Sequence, residues 1–227
     1  MKLSIVMPVL NESARLPQQL ASLQSLRARG HELIVVDGGS SDNSREFAAP
    51  LVDQLLESSK GRARQMNTGA ACAGGDWLLF LHCDTELPEQ ADLCLEAALA
   101  AKGAVWGWFD VRLSNPASSY GLIAWFMNRR ARLTRVCTGD QCLFVKRSQF
   151  RELGGFPDLP LMEDIAMSKL LRRRGRHCVV ARPVVTSSRR WEERGLLTTV
   201  LLMWRLRLLY FLGVAPEKLR RRYYPEH

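Results

Sequence analysis

Leu78-Leu79-Phe80-Leu81-His82-Cys83-Asp84-Thr85 is the stretch that decides the fold. Four consecutive apolar residues, too few for a helix, mark a strand buried on both faces, as strands of parallel sheets are. The strand runs out in a histidine and a carboxylate just before Pro88. Ligands of open α/β sheets bind outside the carboxyl ends of the strands. Asp84 therefore stands where a divalent cation could bridge to a phosphate, which points to a nucleotide-dependent enzyme.

Outward from this strand the chain alternates. Upstream, a short strand near residues 52–56 leads through Gly61 to a helix over about 62–73, and Gly74-Gly75 carries the chain into the apolar run. Before that, Leu33-Ile34-Val35-Val36 meets Asp37-Gly38-Gly39-Ser40-Ser41-Asp42, where glycines permit a tight turn and Ser or Asp can cap the next helix. Leu3-Ser4-Ile5-Val6-Met7-Pro8-Val9 opens the chain as a buried strand. Asn11 or Ser13 is then expected to cap a helix carrying Leu16, Leu20, Leu23 and Leu26, closed by Gly30. Strands alternating with helices predict a parallel, mostly doubly wound sheet. Downstream the pattern loosens: residues 105–113 alternate like a strand, 118–134 read as an amphipathic helix, 141–146 as a short strand and about 163–174 as a helix.

The 227 residues suit one α/β domain or a domain with a tail. A formal net charge of +9 favours anionic partners without choosing among nucleic acid, phosphorylated substrates and an anionic membrane. Arginines gather in Arg172-Arg173-Arg174-Gly175-Arg176, Arg189-Arg190 and Arg220-Arg221-Arg222; the first run reads as a solvated helix end. The six cysteines form no C-x-x-C pair and no signal peptide precedes the first strand, so reduced thiols in the cytosol are expected.

Four segments in order carry a resemblance: Ile5-Val6-Met7-Pro8-Val9-Leu10-Asn11-Glu12, Val35-Val36-Asp37-Gly38-Gly39-Ser40-Ser41-Asp42, the His82-Cys83-Asp84 strand end, and Glu163-Asp164. Together they resemble a family-2 glycosyltransferase with the nucleotide-sugar-binding GT-A fold, over roughly residues 3–191. The resemblance implies a Rossmann-like, mostly parallel sheet flanked by helices over residues 1–191. Its donor half would cover about 1–100 and its acceptor half about 101–191, with a helical basic tail over 192–227.

It also implies roles. Pro8 and Val9 would surround the nucleotide base, Glu12 would approach the ribose or base, and Asp37 would accept hydrogen bonds from base or sugar hydroxyls. A turn or capping aspartate is the competing role for Asp37, and the binding role is preferred because Asp42 is at hand for the cap. Lys60-Gly61-Arg62-Ala63-Arg64 joins a turn, cations and a helix start, a combination that suits a diphosphate, with Arg62 as its contact. Family members usually carry Asp-x-Asp where this chain has His82-Cys83-Asp84. Asp84 alone would then ligate manganese or magnesium, the diphosphate and water filling the other positions. Asp164 matches the family's catalytic aspartate and would be the general base, with Glu163 in support, although an Asp at a helix start also suits a cap. Trp106, Gly107, Gly139 and Asp140 resemble acceptor-side segments; core packing is the competing role for the tryptophan.

Ser187-Ser188-Arg189-Arg190-Trp191 partly matches the Gln-x-x-Arg-Trp signature of processive polysaccharide synthases but lacks the Gln, which favours a single sugar transfer. Residues 195–214 are apolar nearly all round but contain Arg205 and Arg207, each costing about 2.5–3.5 kcal/mol at the centre of a spanning helix. They are expected to form an amphipathic helix that lies in a membrane interface, with the basic Arg220-Arg221-Arg222-Tyr223-Tyr224 tail beside it, or that packs on the domain or a second subunit.

The expected function is an inverting, metal-dependent transfer from a nucleotide-sugar donor, UDP-linked by preference. The acceptor would offer a hydroxyl or carboxylate and be hydrophobic or lipid-linked, as in short members similar to carotenoid glucosyltransferases, and the enzyme would sit peripherally at the inner face of the cell membrane. An inactive nucleotide-sugar-binding scaffold is the alternative. A basic nucleic-acid-binding protein is disfavoured because the cations are not interleaved with exposed aromatics. A Rossmann dehydrogenase is excluded by the absence of G-x-G-x-x-G after the first strand.

Overall fold

The computed structural model describes residues 1–223, so Tyr224 and the end of the 192–227 tail lie outside the described residues. In chain order the strands are β1 (Leu3–Val9), β2 (Glu32–Asp37), β3 (Gln54–Glu57), β4 (Trp77–Phe80), β5 (Thr85–Glu86), β6 (Trp106–Leu113), β7 (Phe144–Lys146) and β8 (His177–Thr186). The helices are α1 (Leu16–Ser22), α2 (Gln24–Ala28), α3 (Ser44–Ala48), α4 (Arg62–Cys72), α5 (Ala91–Lys102), α6 (Ser118–Thr134), α7 (Arg147–Glu152), α8 (Glu163–Leu171), α9 (Arg189–Arg194), α10 (Leu196–Phe211) and α11 (Pro216–Tyr223).

The strands form one sheet in the order β3-β2-β1-β4-β7-β6-β8-β5. The first four are parallel, as the alternating pattern predicts, and β6 runs parallel to β8. Between them β7 pairs antiparallel with both β4 and β6, and β5 closes the far edge antiparallel to β8.

Alternation along the strands feeds two cores. Leu3, Ile5, Met7, Leu33 and Val35 face Leu16 and Leu20 of α1, Leu26 of α2 and Leu95 of α5. Val6, Ile34, Val36, Leu78 and Phe80 face Ala63 and Met66 of α4 and Met167 and Leu171 of α8. A third cluster joins Met162 and Ile165 to Leu206, Leu219 and Tyr223, fastening α10 and α11 beside the start of α8.

Three expectations need correction. The first helix has no side-chain cap: Arg15 and Leu16 donate to the Glu12 carbonyl, and Asn11 and Ser13 turn instead toward the β2 loop. That helix also breaks at Leu23 into α1 and α2, while Gly30, at φ +87°, closes it as expected. At the other end of the chain, α10 exposes apolar residues while burying Leu206, so the clear segregation of apolar from charged side chains belongs to α11. Arg172, Arg173 and Arg174 are exposed at the end of α8, as a solvated helix end should be. The six cysteines are free thiols.

Candidate active site

After β1 the sheet switches direction. β1 pairs with β2 as far as Val9 and Asp37 but with β4 only as far as Val6 and Phe80, which opens a crevice at the carboxyl ends. Pro8, which has no N–H to donate, sits beyond the last pair with β4. Asp37 is buried, and its carboxylate accepts Gly39 N at 3.0 Å, Ser40 N at 2.9 Å and the Ser40 hydroxyl. These bonds set the turn after β2. Asn11 ties the loop after β1 to that turn: its amide N donates to Ser40 Oγ and its side chain accepts Ser41 N. The Gln65 side chain donates to the carbonyls of Val9 and Val36, latching α4 to both strand ends.

Asp84 is exposed past the end of β4, and its carbonyl accepts Ser187 N at 3.0 Å, which draws the start of α9 to the site. Glu12 stands near it: burial and then the Asp84 charge push the Glu12 carboxyl above its ordinary value. His82 packs on Gly139, where an added Cβ would lie 2.3 Å from the imidazole, so only glycine admits the ring. His82 Nδ1 is 3.7 Å from Asp140 Oδ1. Burial raises Asp140, but His82, Arg62 and Arg190 outweigh it and hold that carboxyl below its ordinary range.

The loop before α8 ends in Met162 at φ +71°, a conformation uncommon for a side-chain-bearing residue and one that turns Glu163 and Asp164 inward. Asn67 of α4 holds this loop by accepting Phe156 N and donating to Phe156 O, both at 2.8 Å. Asp164 Oδ2 accepts Gly139 N at 2.9 Å and Oδ1 accepts Ile165 N at 2.7 Å. Burial nevertheless raises the Asp164 carboxyl, against those two bonds, and Asp140 adds to the rise. Glu163, 6% exposed, is raised by burial and by the charge of Asp164.

These groups share one cavity of about 440 Å³. Arg62, Arg189 and Arg190 line it with His82, Asp84, Asp140, Glu163 and Asp164. Beyond the carboxylates its walls turn apolar, with Ile123, Phe126 and Met127 from α6 and Val200, Met203 and Trp204 from α10. Among the described residues no three potential metal ligands cluster. The carboxylates fit a cation that arrives with a diphosphate: Asp84 is accessible, Glu12 stands close to it, and magnesium or manganese commonly binds through one or two carboxylates plus phosphate oxygens.

Of the residues singled out in the sequence, Arg62, Asp84, Gly139, Asp140, Glu163 and Asp164 converge on this cavity, and Pro8, Val9, Glu12 and Asp37 lie in or just after the adjoining ends of β1 and β2. Trp106 and Gly107 do not. Trp106 is fully buried in the sheet core, and a Cβ on Gly107 would lie 2.2 Å from the Cys178 carbonyl, so this glycine serves the β6–β8 contact rather than an acceptor. Arg130, Arg189, Arg190 and Trp204 line the cavity without having been assigned a role. Arg189 and Arg190 lay within the Ser187–Trp191 signature, but Arg130 was hidden among the exposed arginines of α6.

A family model described as Glycosyl transferase family 2 matches residues 4–150. PGL/p-HBAD biosynthesis glycosyltransferases of Mycobacterium tuberculosis and Mycobacterium bovis are 32% identical over 164 residues, covering 67% of this chain and 62% of theirs. A poly-beta-1,6-N-acetyl-D-glucosamine synthase of Staphylococcus epidermidis is 27% identical over 188 residues, 73% of this chain and 44% of the synthase. The chain thus spans less than two thirds of the length of these curated relatives. Among solved structures, S. aureus TarS 1-349 in complex with UDP-GlcNAc superposes with a TM-score of 0.67 at 17% identity, over 82% of this chain and 58% of TarS. The mannosyltransferase PcManGT of Pyrobaculum calidifontis, in complex with GDP-Man and Mn2+, gives 0.67 at 20% identity over 97% of this chain and 68% of its own. The α/β architecture expected from the sequence, a mostly parallel sheet flanked by helices, is therefore the fold of these enzymes.

Proposed function

Because the chain belongs to glycosyl transferase family 2, we propose that it moves one sugar from a nucleoside-diphosphate donor, UDP-linked by preference, to a hydrophobic acceptor with inversion at the anomeric carbon. The observation that carries this reading is the cavity itself. Carboxylates raised by burial stand across from Arg62, Arg189 and Arg190, and the same space continues into an apolar cleft.

In this reading the nucleoside lies over the ends of β1 and β2, against Pro8, Val9, Glu12 and Asp37. Arg62 meets the diphosphate, guanidinium groups being suited to phosphate oxygens. Asp84 would hold a manganese or magnesium ion, which when bound neutralises charge on the departing diphosphate. His82 occupies the place of the family's first aspartate, and Asp140 beside it at 3.7 Å returns a carboxylate to that corner.

Asp164 takes the proton of the attacking hydroxyl. Burial raises its pKa, which makes it a stronger base than an exposed aspartate. The amides of Gly139 and Ile165 fix its orientation, and Glu163, whose carboxyl feels the charge of Asp164, is the supporting group beside it. One base and one displacement give inversion.

The donor half would occupy residues 1–100. The acceptor half would occupy 101–191 and is completed by the tail, since α10 forms a wall of the cavity. Exposed Leu122, Trp125, Phe126 and Leu133 on α6 and Leu197, Leu201, Trp204, Leu208 and Phe211 on α10 favour a peripheral site on an anionic membrane, at its inner face. Among the described residues no helix is long and apolar enough to cross a membrane.

The test is to incubate the protein with radiolabelled UDP-, GDP-, dTDP- and CMP-sugars, manganese or magnesium, and a lipid extract. Label entering the organic phase with an inverted anomeric configuration is expected. A retained configuration rejects the single displacement, and donor binding without transfer to any acceptor turns the reading to a scaffold.

A further inference from the structure

Besides Arg62, the cavity is lined by Arg189, Arg190, Arg207 and Arg130, and of these Arg130 is the one whose guanidinium nitrogens are buried without a partner among the described residues. Ile123, Phe126, Met127 and Arg130 lie at i, i+3, i+4 and i+7 on α6, so one face of the helix presents three apolar residues and then a guanidinium to the cavity. Nη1 and Nη2 of Arg130 are shielded from solvent and have no hydrogen-bond partner among the described residues. A guanidinium stays protonated at any ordinary pH, so this is a charge whose Nη donors are held out of water and unused.

Its surroundings separate it from the donor side. Arg62 and Arg189 act on Glu12 beside Asp84, and Arg62 reaches Asp140 and Glu163 as well, whereas Arg130 acts on Asp164 and Asp140 and not on Glu12. Across the cavity Val200, Met203 and Trp204 repeat the apolar stripe on α10 at i, i+3 and i+4, with Trp204 66% and Phe126 54% exposed. A ligand that satisfies this arrangement carries an anionic group for the fork of Arg130 and an apolar body to cover Phe126 and Trp204.

We propose that Arg130 is the specificity residue of the acceptor site and that the acceptor is an amphiphile whose head bears a phosphate or carboxylate, its apolar chain lying between α6 and α10. This rests on the reading of the cavity as a glycosyltransferase site. The anion is a handle that positions the head, while the hydroxyl that reacts is delivered to Asp164.

Decyl phosphate, decanoate and decanol, each below its aggregation concentration, share one chain length and differ in the head. Their binding to the full-length protein can be followed by tryptophan fluorescence, because Trp191 and Trp204 line the cavity. Decyl phosphate, decanoate or both should bind about tenfold or more tightly than decanol, the scale of one charge-assisted contact. Which of the two anions binds identifies the source of the charge. Arg130→Met should reduce the anions to the affinity of decanol without changing decanol itself, and Arg130→Lys, which keeps the charge but loses the fork, should fall between. Equal binding of decanol and both anions to the wild type, or anion binding unchanged in Arg130→Met, overturns the proposal. If Arg130→Met fails to fold, a lysine variant that folds yet matches the wild type for every probe overturns it equally. Thermal shifts with nucleotide sugars are run on the same samples. Donor binding without anion preference rejects only the role of Arg130, whereas anion preference without any donor response rejects the glycosyltransferase reading.

Discussion

Replacing Asp164 with asparagine removes a negative charge and almost no volume. The carboxylate accepts Gly139 N at 2.9 Å and Ile165 N at 2.7 Å, and an amide has one oxygen for the two donors. Losing one such bond costs about 1 kcal/mol. Removing a charge that burial and Asp140 disfavour offsets that loss, so the fold should survive with stability changed by roughly 1 kcal/mol or less. The effect on chemistry is far larger. General-base catalysis contributes about 10²–10⁴-fold, which at about 1.36 kcal/mol per tenfold is roughly 2.7–5.4 kcal/mol of barrier. Transfer should fall by that factor, measured as labelled product per unit time at saturating donor, while donor affinity measured by titration calorimetry holds. The pH profile provides a second reading. Wild-type kcat/KM should decline as pH falls through the raised pKa of Asp164, because the base must be ionised, and the asparagine variant should lack that limb. Transfer within about threefold of wild type, with donor binding intact, would falsify the assignment of Asp164 as base.

Glu163→Gln should stabilise the protein at neutral pH. A carboxyl whose folded pKa is raised contributes stability below its unfolded pKa and loses it as pH rises through the folded value, so at pH 7.5 the buried carboxyl is a burden that the amide removes. The expected gain is about 0.5–2 kcal/mol in urea denaturation and should narrow toward pH 5; a variant less stable at pH 7.5 contradicts the electrostatic account. Gly107→Ala drives a methyl to 2.2 Å from the Cys178 carbonyl and 2.6 Å from Phe144 and should destabilise by about 1–3 kcal/mol; an unchanged denaturation midpoint would mean that β6 and β8 are farther apart than described. Arg62→Ala should weaken donor binding by roughly tenfold or more, as loss of a charge-assisted phosphate contact does, and calorimetry showing equal affinity removes Arg62 from the diphosphate site.

The parallel half of the sheet was legible because β1, β2 and β4 are buried on both faces and read as apolar runs bounded by Gly, Asp and Pro. The second half obeys longer-range rules. β7 offers three residues and inserts antiparallel between β4 and β6, which no local pattern announces. β8 went unread because its run is interrupted by Arg182 and Pro183. α5, rich in alanine and leucine, was not placed at all.

Strand-end position and motif order single out Asp84 and Asp164, and both line the cavity. Trp106 and Gly107 misled because an aromatic beside a glycine looks alike whether the partner is a sugar or a neighbouring strand. The cap expected at Asn11 or Ser13 failed for a related reason: the β2 loop took up their hydrogen-bonding groups first. Arg130 could not be singled out in a sequence rich in arginine, since its isolation depends on what α8 and α10 place around it.

This crevice is expected to bind a nucleotide sugar through a divalent cation. Thermal unfolding of the purified protein with UDP-, GDP-, dTDP- and CMP-linked sugars, each with manganese, with magnesium and with chelator, tests it directly. Stabilisation by one donor base only when metal is present is expected, about 2.7 kcal/mol at a donor concentration of about 100 times Kd, with its loss in Asp84→Ala. No stabilisation by any donor under any metal condition would contradict it.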